Sequence, residues 1–272
     1  MGIVTGQQLA RFYAEYRDRE ITFNRQIIEV LKLVPKEIYL KCQGDQLPCV
    51  IYSSSMAGAK IVANLKDKAL QQIRLAGSSV SLRFAFQRSD KTEPLFFFIP
   101  AKVTNYTFYR SAQPDLYFLS LDYTKKPPDD LIEMLGQVLE ASTNFTRRKE
   151  ERIQLDPVNI KTMGIEGKEA TLIIGKQAKK CIIRDLSFSG AKVLLFGARS
   201  GEVRNPAVLQ FFLSTQKQKI LLPGTVVRFE EVVGREDIGA YGIRFIEEKT
   251  PMSYKILVNN TLKTIRRSRE QH

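Results

Sequence analysis

Residues 179–197 read KKCIIRDLSFSGAKVLLFG. Two apolar runs, CIIR and AKVLLF, lie on either side of a polar stretch whose Asp, Ser and Gly residues are typical of turns. The pattern predicts two strands joined by a short turn. Such a turn can also bind a ligand, because the carboxylate of Asp185 accepts hydrogen bonds and Ser187 adds a hydroxyl. Gly190 permits close backbone approach or a positive φ angle.

The strand-like pattern of this stretch continues over most of the chain. In the second half, further strand-like runs are RIQLDPVNIKTMGI, KEATLIIG, PAVLQFFLS, KQKILLPGTVVRFEEVV and AYGIRFIEE. The first half contains six runs: EIYLKC, PCVIYSS, AKIVANL, SSVSLRFAFQR, LFFFIPAKVTNYTFYR and DLYFLSLDY. Short strands separated by Gly, Pro, Asp and Ser predict small antiparallel barrels or sandwiches. We therefore expect a mainly β protein built from two related small antiparallel β-barrels.

Helical segments flank and separate these β regions. Apolar residues at helical spacing predict helices within QQLARFYAEYRDREITFNRQIIEVLKL, and Pro35 ends that region. Pro127 and Pro128, followed by two acids, favour the start of a connector helix. Pro251 begins a C-terminal helix. The predicted parts are residues 1–126 as an N-terminal domain with leading helices, residues 127–143 as connector helix and linker, and residues 144–272 as the second domain with its C-terminal helix.

The composition excludes several kinds of site. A chain of 272 residues fits two domains of about 100 to 150 residues each. The only histidine is His272, so we expect no His-based catalytic site and no His-ligated metal site. Cys42, Cys49 and Cys181 form no CxxC pair, so we expect neither a zinc site nor a disulfide framework. The cysteines are predicted to be buried apolar residues. No apolar run approaches the roughly 20 residues of a membrane span. We expect a cytoplasmic, non-enzymatic protein without cofactor or metal.

The positive charge is concentrated in the second half of the chain. The formal net charge is +13, of which residues 1–143 carry +3 and residues 144–272 carry +10. The second half should therefore attract an anionic partner, which can be a nucleotide, a nucleic acid or an acidic surface.

Four cations, Arg147, Arg148, Lys149 and Arg152, fall within six residues of the stretch TNFTRRKEERIQL, residues 143–155. The guanidinium group presents five donors in a rigid fork, and two arginines four residues apart could converge on phosphates or on the O6 and N7 acceptors of guanine. Asp185 could then accept from the N–H donors on the other edge of guanine. Taken alone, RRKEER is more often a charged linker after a helix, and DLSFSG is more often a simple hairpin turn.

The ordered combination of these two segments resembles the PilZ domain. It consists of RxxxR from Arg148 to Arg152, DxSxxG from Asp185 to Gly190 about thirty residues later, and a strand YGIRF, and it covers roughly residues 144–250. PilZ domains are bacterial receptors for cyclic di-GMP. The resemblance implies a six-stranded β-barrel with a C-terminal helix, in which the RxxxR segment is a mobile loop that folds over the ligand.

The resemblance also implies a set of ligand-binding residues. Arg147, directly before the motif, resembles a variant associated with two stacked ligand molecules rather than one. The implied cyclic di-GMP site comprises Arg147, Arg148, Arg152, Asp185, Ser187 and Gly190.

The first half shows neither motif. Its β pattern and position resemble the N-terminal partner domains of two-domain PilZ proteins of the YcgR type, with a layout closest to the spirochaetal PlzA type, in which this domain is PilZ-like but lacks the ligand residues. Because the arginines lie where the connector helix meets the second barrel, we expect ligand binding to change the angle between the domains. An unidentified protein partner would respond, in motility, virulence or gene regulation.

An RNA- or DNA-binding β-barrel is the alternative function. The +10 charge of the second half and the terminal arginines, Arg266, Arg267 and Arg269, favour it. A scarcity of aromatic residues near the arginines of the second half counts against it.

The aromatic residues Phe84, Phe86 and 96–98 are predicted to lie in the core or at an interdomain surface. An enzyme is the weakest alternative, because no P-loop or Gly-rich dinucleotide fingerprint is visible.

Overall fold

The computed structural model describes residues 5–87, 93–109, 115–214 and 218–270. The chain divides into two compact units, Met1–Leu139 and Glu140–His272. Each unit contains one closed, six-stranded antiparallel barrel, so the predicted fold class is confirmed.

Among the residues described in the first unit, three α-helices lie before or within the barrel. Strands β2, β3, β4, β7, β6 and β5 close the barrel in that order, and the two-residue strand β1 pairs with Ser53 and Ser54 at the end of β3. The elements are α1 (Gly6–Tyr16), β1 (Ile21–Thr22), α2 (Arg25–Leu31), β2 (Tyr39–Cys42), β3 (Asp45–Ser54), β4 (Gly58–Asn64), α3 (Asp67–Leu75), β5 (Ser79–Phe86), β6 (Leu95–Phe108) and β7 (Leu116–Tyr123).

The second unit repeats this arrangement after the connector helix α4 (Asp129–Arg147). Strands β9, β10, β11, β14, β13 and β12 close the second barrel, and β8 pairs with β10. The elements are β8 (Arg152–Gln154), α5 (Pro157–Met163), β9 (Glu169–Ile174), β10 (Gln177–Ser187), β11 (Gly190–Phe196), β12 (Pro206–Leu213), β13 (Gln218–Val232), β14 (Arg235–Phe245) and α6 (Met252–Glu270).

The two barrels share one topology, as the element order predicted. Strands β1 to β7 pair in the same pattern as β8 to β14. The strand registers therefore equate positions in the two barrels: Ser53 pairs with Lys60 in the first barrel as Asp185 pairs with Lys192 in the second. Both barrels also have bulges at matching places in β3 and β10 and in β6 and β13.

Some local predictions were wrong. The run from Arg152 to Ile165, predicted as one strand, is the short strand β8 followed by α5. Asp156 caps this helix by accepting from the N–H of Asn159 at 2.7 Å, Pro157 occupies its first turn, and Gly164 ends it with φ +63°. Within the predicted N-terminal helical region, β1 separates α1 from α2, and α3 was not predicted.

The connector helix is longer than predicted and continues through the first arginine of the cluster, Arg147. In the first unit, the side chains of Leu131, Ile132 and Leu135 are buried. In the second unit, the ring of Phe145 packs edge-on against that of Phe188, with the two ring centres 5.7 Å apart. Both ends of the helix are thus fixed by burial of apolar side chains rather than by helix propensity alone.

The C-terminal helix α6 follows Pro251 as predicted and packs against the second barrel. Tyr254, Val258 and Leu262 are buried on its inner face, and the ring of Tyr254 contacts that of Phe245 at 5.8 Å. His272 lies outside the described residues.

The three cysteines are buried, as predicted, and burial raises the pKa of the Cys181 thiol to about 12. In the described part of the chain, no group of three or more His, Cys, Asp and Glu side chains is placed to hold a metal ion. Across the same residues, none of the helices has the length and apolar character needed to span a membrane.

Candidate ligand site on the second barrel

Arg152 and Asp185, which the sequence predicts to bind one ligand, are in direct contact. Strand β8 pairs with β10 so that Arg152 lies opposite Ser187, two residues from Asp185. From there, the guanidinium group of Arg152 donates a hydrogen bond to the Asp185 carboxylate. The Asp185 side chain is only 6% exposed, whereas that of Arg152 is 41% exposed. The arginine therefore covers a carboxylate that has little contact with solvent.

A β-bulge gives Asp185 its outward direction. Ile183 is buried in the barrel core, and strict alternation along β10 would also point Asp185 into the core. The register of β10 with β11 shifts between Ile183 and Asp185, so Leu186 becomes the next core residue. Bulges often re-aim side chains in this way. The carboxylate therefore lies on the outer surface of the barrel, under Arg152.

Ser187 and Gly190 shape the turn that follows Asp185. The Ser187 hydroxyl accepts from the Gly190 N–H at 3.1 Å and donates to the Gly190 carbonyl at 3.2 Å. The backbone of Gly190 does not adopt a positive φ angle. A Cβ at this position would instead lie 2.3 Å from the backbone oxygen of Ile243 on β14. The glycine is therefore required by close backbone approach, one of the two reasons that the sequence suggested.

The turn is also anchored to the C-terminal helix. The buried hydroxyl of Tyr254 donates to the backbone oxygen of Ser187 at 2.7 Å. Burial raises the pKa of Tyr254 well above its usual value, and the negative charge of Asp185 adds to the shift. Tyr254 therefore remains a neutral donor at physiological pH.

The RxxxR segment lies beside this turn. Arg147 is the exposed last residue of α4, and the N–H of Arg148 still donates to the Asn144 carbonyl at 2.8 Å. The Ser189 hydroxyl donates to the backbone oxygen of Lys149 at 2.9 Å, which joins the two predicted motifs.

Two ion pairs hold the residues between the motif arginines. Lys149 pairs with Glu247 at 2.7 Å, and Glu151 pairs with Arg266 of α6. The segment is thus held in this conformation by contacts within the second unit.

A surface cavity of about 500 Å³ adjoins the Arg152–Asp185 pair. Its volume is in the range of small-molecule sites. Arg147, Arg148, Ser187 and Gly190 do not line it. Its charged lining residues, which together carry a net charge of +2, are Arg152, Asp185, Lys192, Arg228, Glu230 and Arg244.

Four of these residues were not predicted from the sequence. Lys192, Arg228, Glu230 and Arg244 lie on strands β11, β13 and β14, where charged outward residues are common. Glu230 forms ion pairs with both Lys192 and Arg228. The hydrogen bond from Lys192 is the largest cause of the lowered pKa of Glu230, which is therefore ionised at neutral pH.

The first barrel retains the turn of this site. At the matching place the sequence is SSSMAG, residues 53–58, and Ser55 accepts from the Gly58 N–H at 3.1 Å, as Ser187 does from Gly190. A Cβ on Gly58 would lie 2.4 Å from the backbone oxygen of Leu121. The first half thus lacks the complete DxSxxG motif, as predicted, because Ser53 replaces the Asp, but the Ser and Gly of the turn are present.

The first barrel has an inverted charge where the second has Arg152. The register of β1 with β3, compared with that of β8 with β10, places Glu20 at the position that corresponds to Arg152. The Ser53 hydroxyl donates a hydrogen bond to the Glu20 carboxylate. Glu20 also pairs with Lys60 at 2.8 Å. The first barrel therefore keeps the backbone geometry of the turn and lacks a counterpart of the Arg152–Asp185 pair.

Comparisons with known proteins agree with the two barrels. The PilZN3 domain model matches residues 7–142, and the PilZ domain model matches residues 146–259. A Treponema denticola protein named "Cyclic di-GMP binding protein" is 35% identical over 267 residues, which is 98% of this chain and 85% of that protein.

Two solved structures of similar chains contain c-di-GMP. PlzA of Borreliella burgdorferi is 24% identical, with 94% of this chain and 98% of that chain covered and a TM-score of 0.42. YcgR of Escherichia coli is 12% identical, with 90% of each chain covered and a TM-score of 0.30. The two domain matches and the relative that is similar along nearly the whole sequence show that this chain belongs to the PilZ family, as a PilZN3 domain followed by a PilZ domain.

Proposed function

We propose that this protein is a receptor for cyclic di-GMP and that its PilZ domain holds the ligand. The observation that carries the proposal is the pair of Arg152 and Asp185 at the edge of a basic cavity. Guanine presents acceptors, O6 and N7, on one edge and N–H donors on the next. A guanidinium group beside a carboxylate matches this order of acceptors and donors. The relative named as a cyclic di-GMP binding protein supports the same ligand.

The predicted residues take different roles in this proposal. Arg152 and Asp185 exchange their mutual hydrogen bond for contacts with guanine. Arg147 and Arg148 move from the end of α4 to contact guanine and the phosphates. Ser187 and Gly190 act indirectly, by shaping the turn that follows Asp185.

We also propose that ligand binding reorients the two domains and so controls a downstream protein partner. Support comes from the continuity of the chain: α4 ends at Arg147, and Arg148 follows directly. Movement of Arg148 onto the ligand would disturb the last turn of this helix and the Lys149–Glu247 and Glu151–Arg266 pairs. Such a coupled change is a known form of domain switching. Control of motility, virulence or gene regulation would follow from the partner.

Calorimetric titration of the full chain with cyclic di-GMP tests the receptor proposal. We expect the wild type to bind and Arg148→Ala to weaken binding by about 10- to 150-fold, because a lost charge-assisted hydrogen bond costs about 1.5–3 kcal/mol. Arg235→Ala is the control, since this exposed arginine of β14 pairs with Asp237 outside the cavity. Absence of heat with the wild type, or wild-type affinity in Arg148→Ala, would contradict the proposal. Small-angle scattering of the same titration tests the reorientation.

Single-stranded nucleic acid binding by the first unit is a second candidate function. Of the aromatic residues predicted for a core or interdomain surface, Phe84 and Phe86 are buried, but Phe96 and Phe98 are 54% and 41% exposed. The Arg83 guanidinium lies 4.7 Å from the centre of the Phe96 ring. Exposed aromatic rings beside cations are typical of surfaces on which bases stack.

A gel-shift titration with a labelled single-stranded oligonucleotide tests this candidate. We expect binding that weakens steeply as the salt concentration rises. The double substitution of Phe96 and Phe98 by Ser should weaken it at least about tenfold, because stacking contributes about 1–3 kcal/mol per base. Phe196→Ser, which alters an exposed ring on the second barrel, is the matched control. No shift at low salt, or equal affinity in all variants, would count against this function.

A further inference from the structure

Three cations outside the predicted motifs line the same cavity as Arg152 and Asp185. Lys192 lies on β11, Arg228 on β13 and Arg244 on β14. The side chains of Arg228 and Arg244 are exposed to solvent and are not part of the hydrophobic core.

A second β-bulge directs Arg228 to the cavity. Val226 is buried in the core, and strict alternation along β13 would also turn Arg228 inward. The register of β13 with β14 shifts between Val226 and Arg228, so that Phe229 packs against the core instead. The bulges of β10 and β13 thus place a carboxylate and a guanidinium group on the rim of one cavity.

Glu230 balances part of this positive charge. It pairs with both Lys192 and Arg228. In the described part of the chain, no carboxylate forms an ion pair with Arg244. An incoming phosphate can therefore contact Arg244 directly and can replace Glu230 as the partner of Lys192 and Arg228. A phosphate offers strong acceptors to such donors.

The first barrel shows what the same positions contain when the motif cations are missing. Strand register equates Arg228 with Asn105 and Arg244 with Asp122. Only Lys192 has a cationic counterpart, Lys60. The six charged residues that line the cavity of the second barrel have a summed formal charge of +2. The residues at the same six positions of the first barrel have a summed formal charge of −1. They are Glu20, Ser53, Lys60, Asn105, Thr107 and Asp122.

Because the first barrel closes in the same topology without these cations, the fold does not require them. They occur together with Arg152 and Asp185, on the barrel whose cavity they line. We therefore expect these cations to contribute to ligand binding in the cavity rather than to folding.

We infer that Lys192, Arg228 and Arg244 form a second wall of the ligand site and bind the phosphate groups of cyclic di-GMP, while Glu230 holds two of them before the ligand arrives. This inference rests on the proposed receptor function. The ligand carries two phosphodiester charges, and the six charged side chains of the cavity carry the opposite net charge of +2. The RxxxR and DxSxxG residues then bind guanine, and the RxxxR arginines also contact the phosphates. The second wall binds the phosphates from the side of β13 and β14.

Calorimetry with cyclic di-GMP on full-length variants tests the second wall. We expect Arg228→Ala and Arg244→Ala each to weaken binding by about tenfold, and Arg244→Asp, which introduces the residue type of the first barrel, to weaken it further. Arg244→Lys should retain most of the affinity, since a lysine also binds phosphate, as a point charge. Arg235→Ala, on the same strand as Arg244 and outside the cavity, should bind as the wild type does.

The outcomes separate this inference from the receptor proposal. If the wild type does not bind, the receptor proposal fails and the second wall fails with it. If the wild type binds, Arg148→Ala weakens binding, and Arg228→Ala and Arg244→Ala bind as the wild type does, only the second wall is overturned. Circular dichroism spectra of the exposed-site variants should match the wild type, so that weaker binding is assigned to the lost contact.

Discussion

Arg152→Glu combined with Asp185→Ser is expected to abolish cyclic di-GMP binding and to leave the second barrel folded. The double variant copies the pair that the first barrel has at these positions, Glu20 and Ser53, whose side chains are hydrogen-bonded. Two charge-assisted contacts to guanine are lost, at about 1.5–3 kcal/mol each, and a like charge is introduced beside the ligand. Affinity should therefore fall by about a thousandfold or more.

Calorimetry measures the loss of binding, and hydrogen exchange of full-length protein measures the folding of each barrel. We expect peptides from β10 and β11 to keep their protection in the double variant, because a Ser can donate to the new Glu. Arg152→Glu alone is the informative control. It places two carboxylates in contact at a site where Asp185 is nearly buried, and should reduce protection there. A double variant that binds within tenfold of the wild type would show that these charges do not form the site.

The proximity of the arginine cluster to the Asp185 turn could be predicted because it depends on short, local patterns. DLSFSG predicts a turn between two strands, and the second strand of that hairpin closes onto β14 as an antiparallel barrel requires. The arginine cluster lies directly before β8, which pairs with β10. Two motifs that border paired strands are brought together by the pairing itself.

The cations of the second wall could not be predicted in this way. Lys192, Arg228 and Arg244 are distributed over more than fifty residues and on three strands. Their convergence depends on strand register between β11, β13 and β14 and on the bulge before Arg228. Nothing in the strand-like run KQKILLPGTVVRFEEVV marks the residue at which the alternation changes phase.

Helix ends also depended on tertiary contacts. The stretch TNFTRRKEE contains neither Gly nor Pro, so no local signal indicates whether Arg147 belongs to the helix or to the loop. The burial of Phe145 against Phe188 extends α4 to Arg147. By contrast, the sequence does mark the start and end of α5, with Asp156, Pro157 and Gly164, although the apolar residues of the same run favour a strand.

Gly190→Ala is expected to destabilise the second barrel by about 3 kcal/mol, because the new methyl group would overlap the backbone oxygen of Ile243. The obstacle is main chain on the paired strand β14, which cannot rotate away as a side chain can. The two strands must therefore separate locally. Hydrogen exchange should show lost protection in peptides from β11 and β14 of the full-length protein.

Two further glycine substitutions decide whether this residue serves the fold or the ligand. Gly58→Ala makes the same overlap with Leu121 in the first barrel and should cause a similar loss of protection in β4 and β7. Gly201→Ala, where no atom lies within 4 Å of the new methyl group, should change stability by less than about 0.5 kcal/mol. If Gly190→Ala weakens ligand binding while protection stays at the wild-type level, the glycine provides room for the ligand. Equal losses at Gly58 and Gly190 would instead assign the Ser-x-x-Gly turn to barrel closure, because the first barrel keeps the turn without the charged pair.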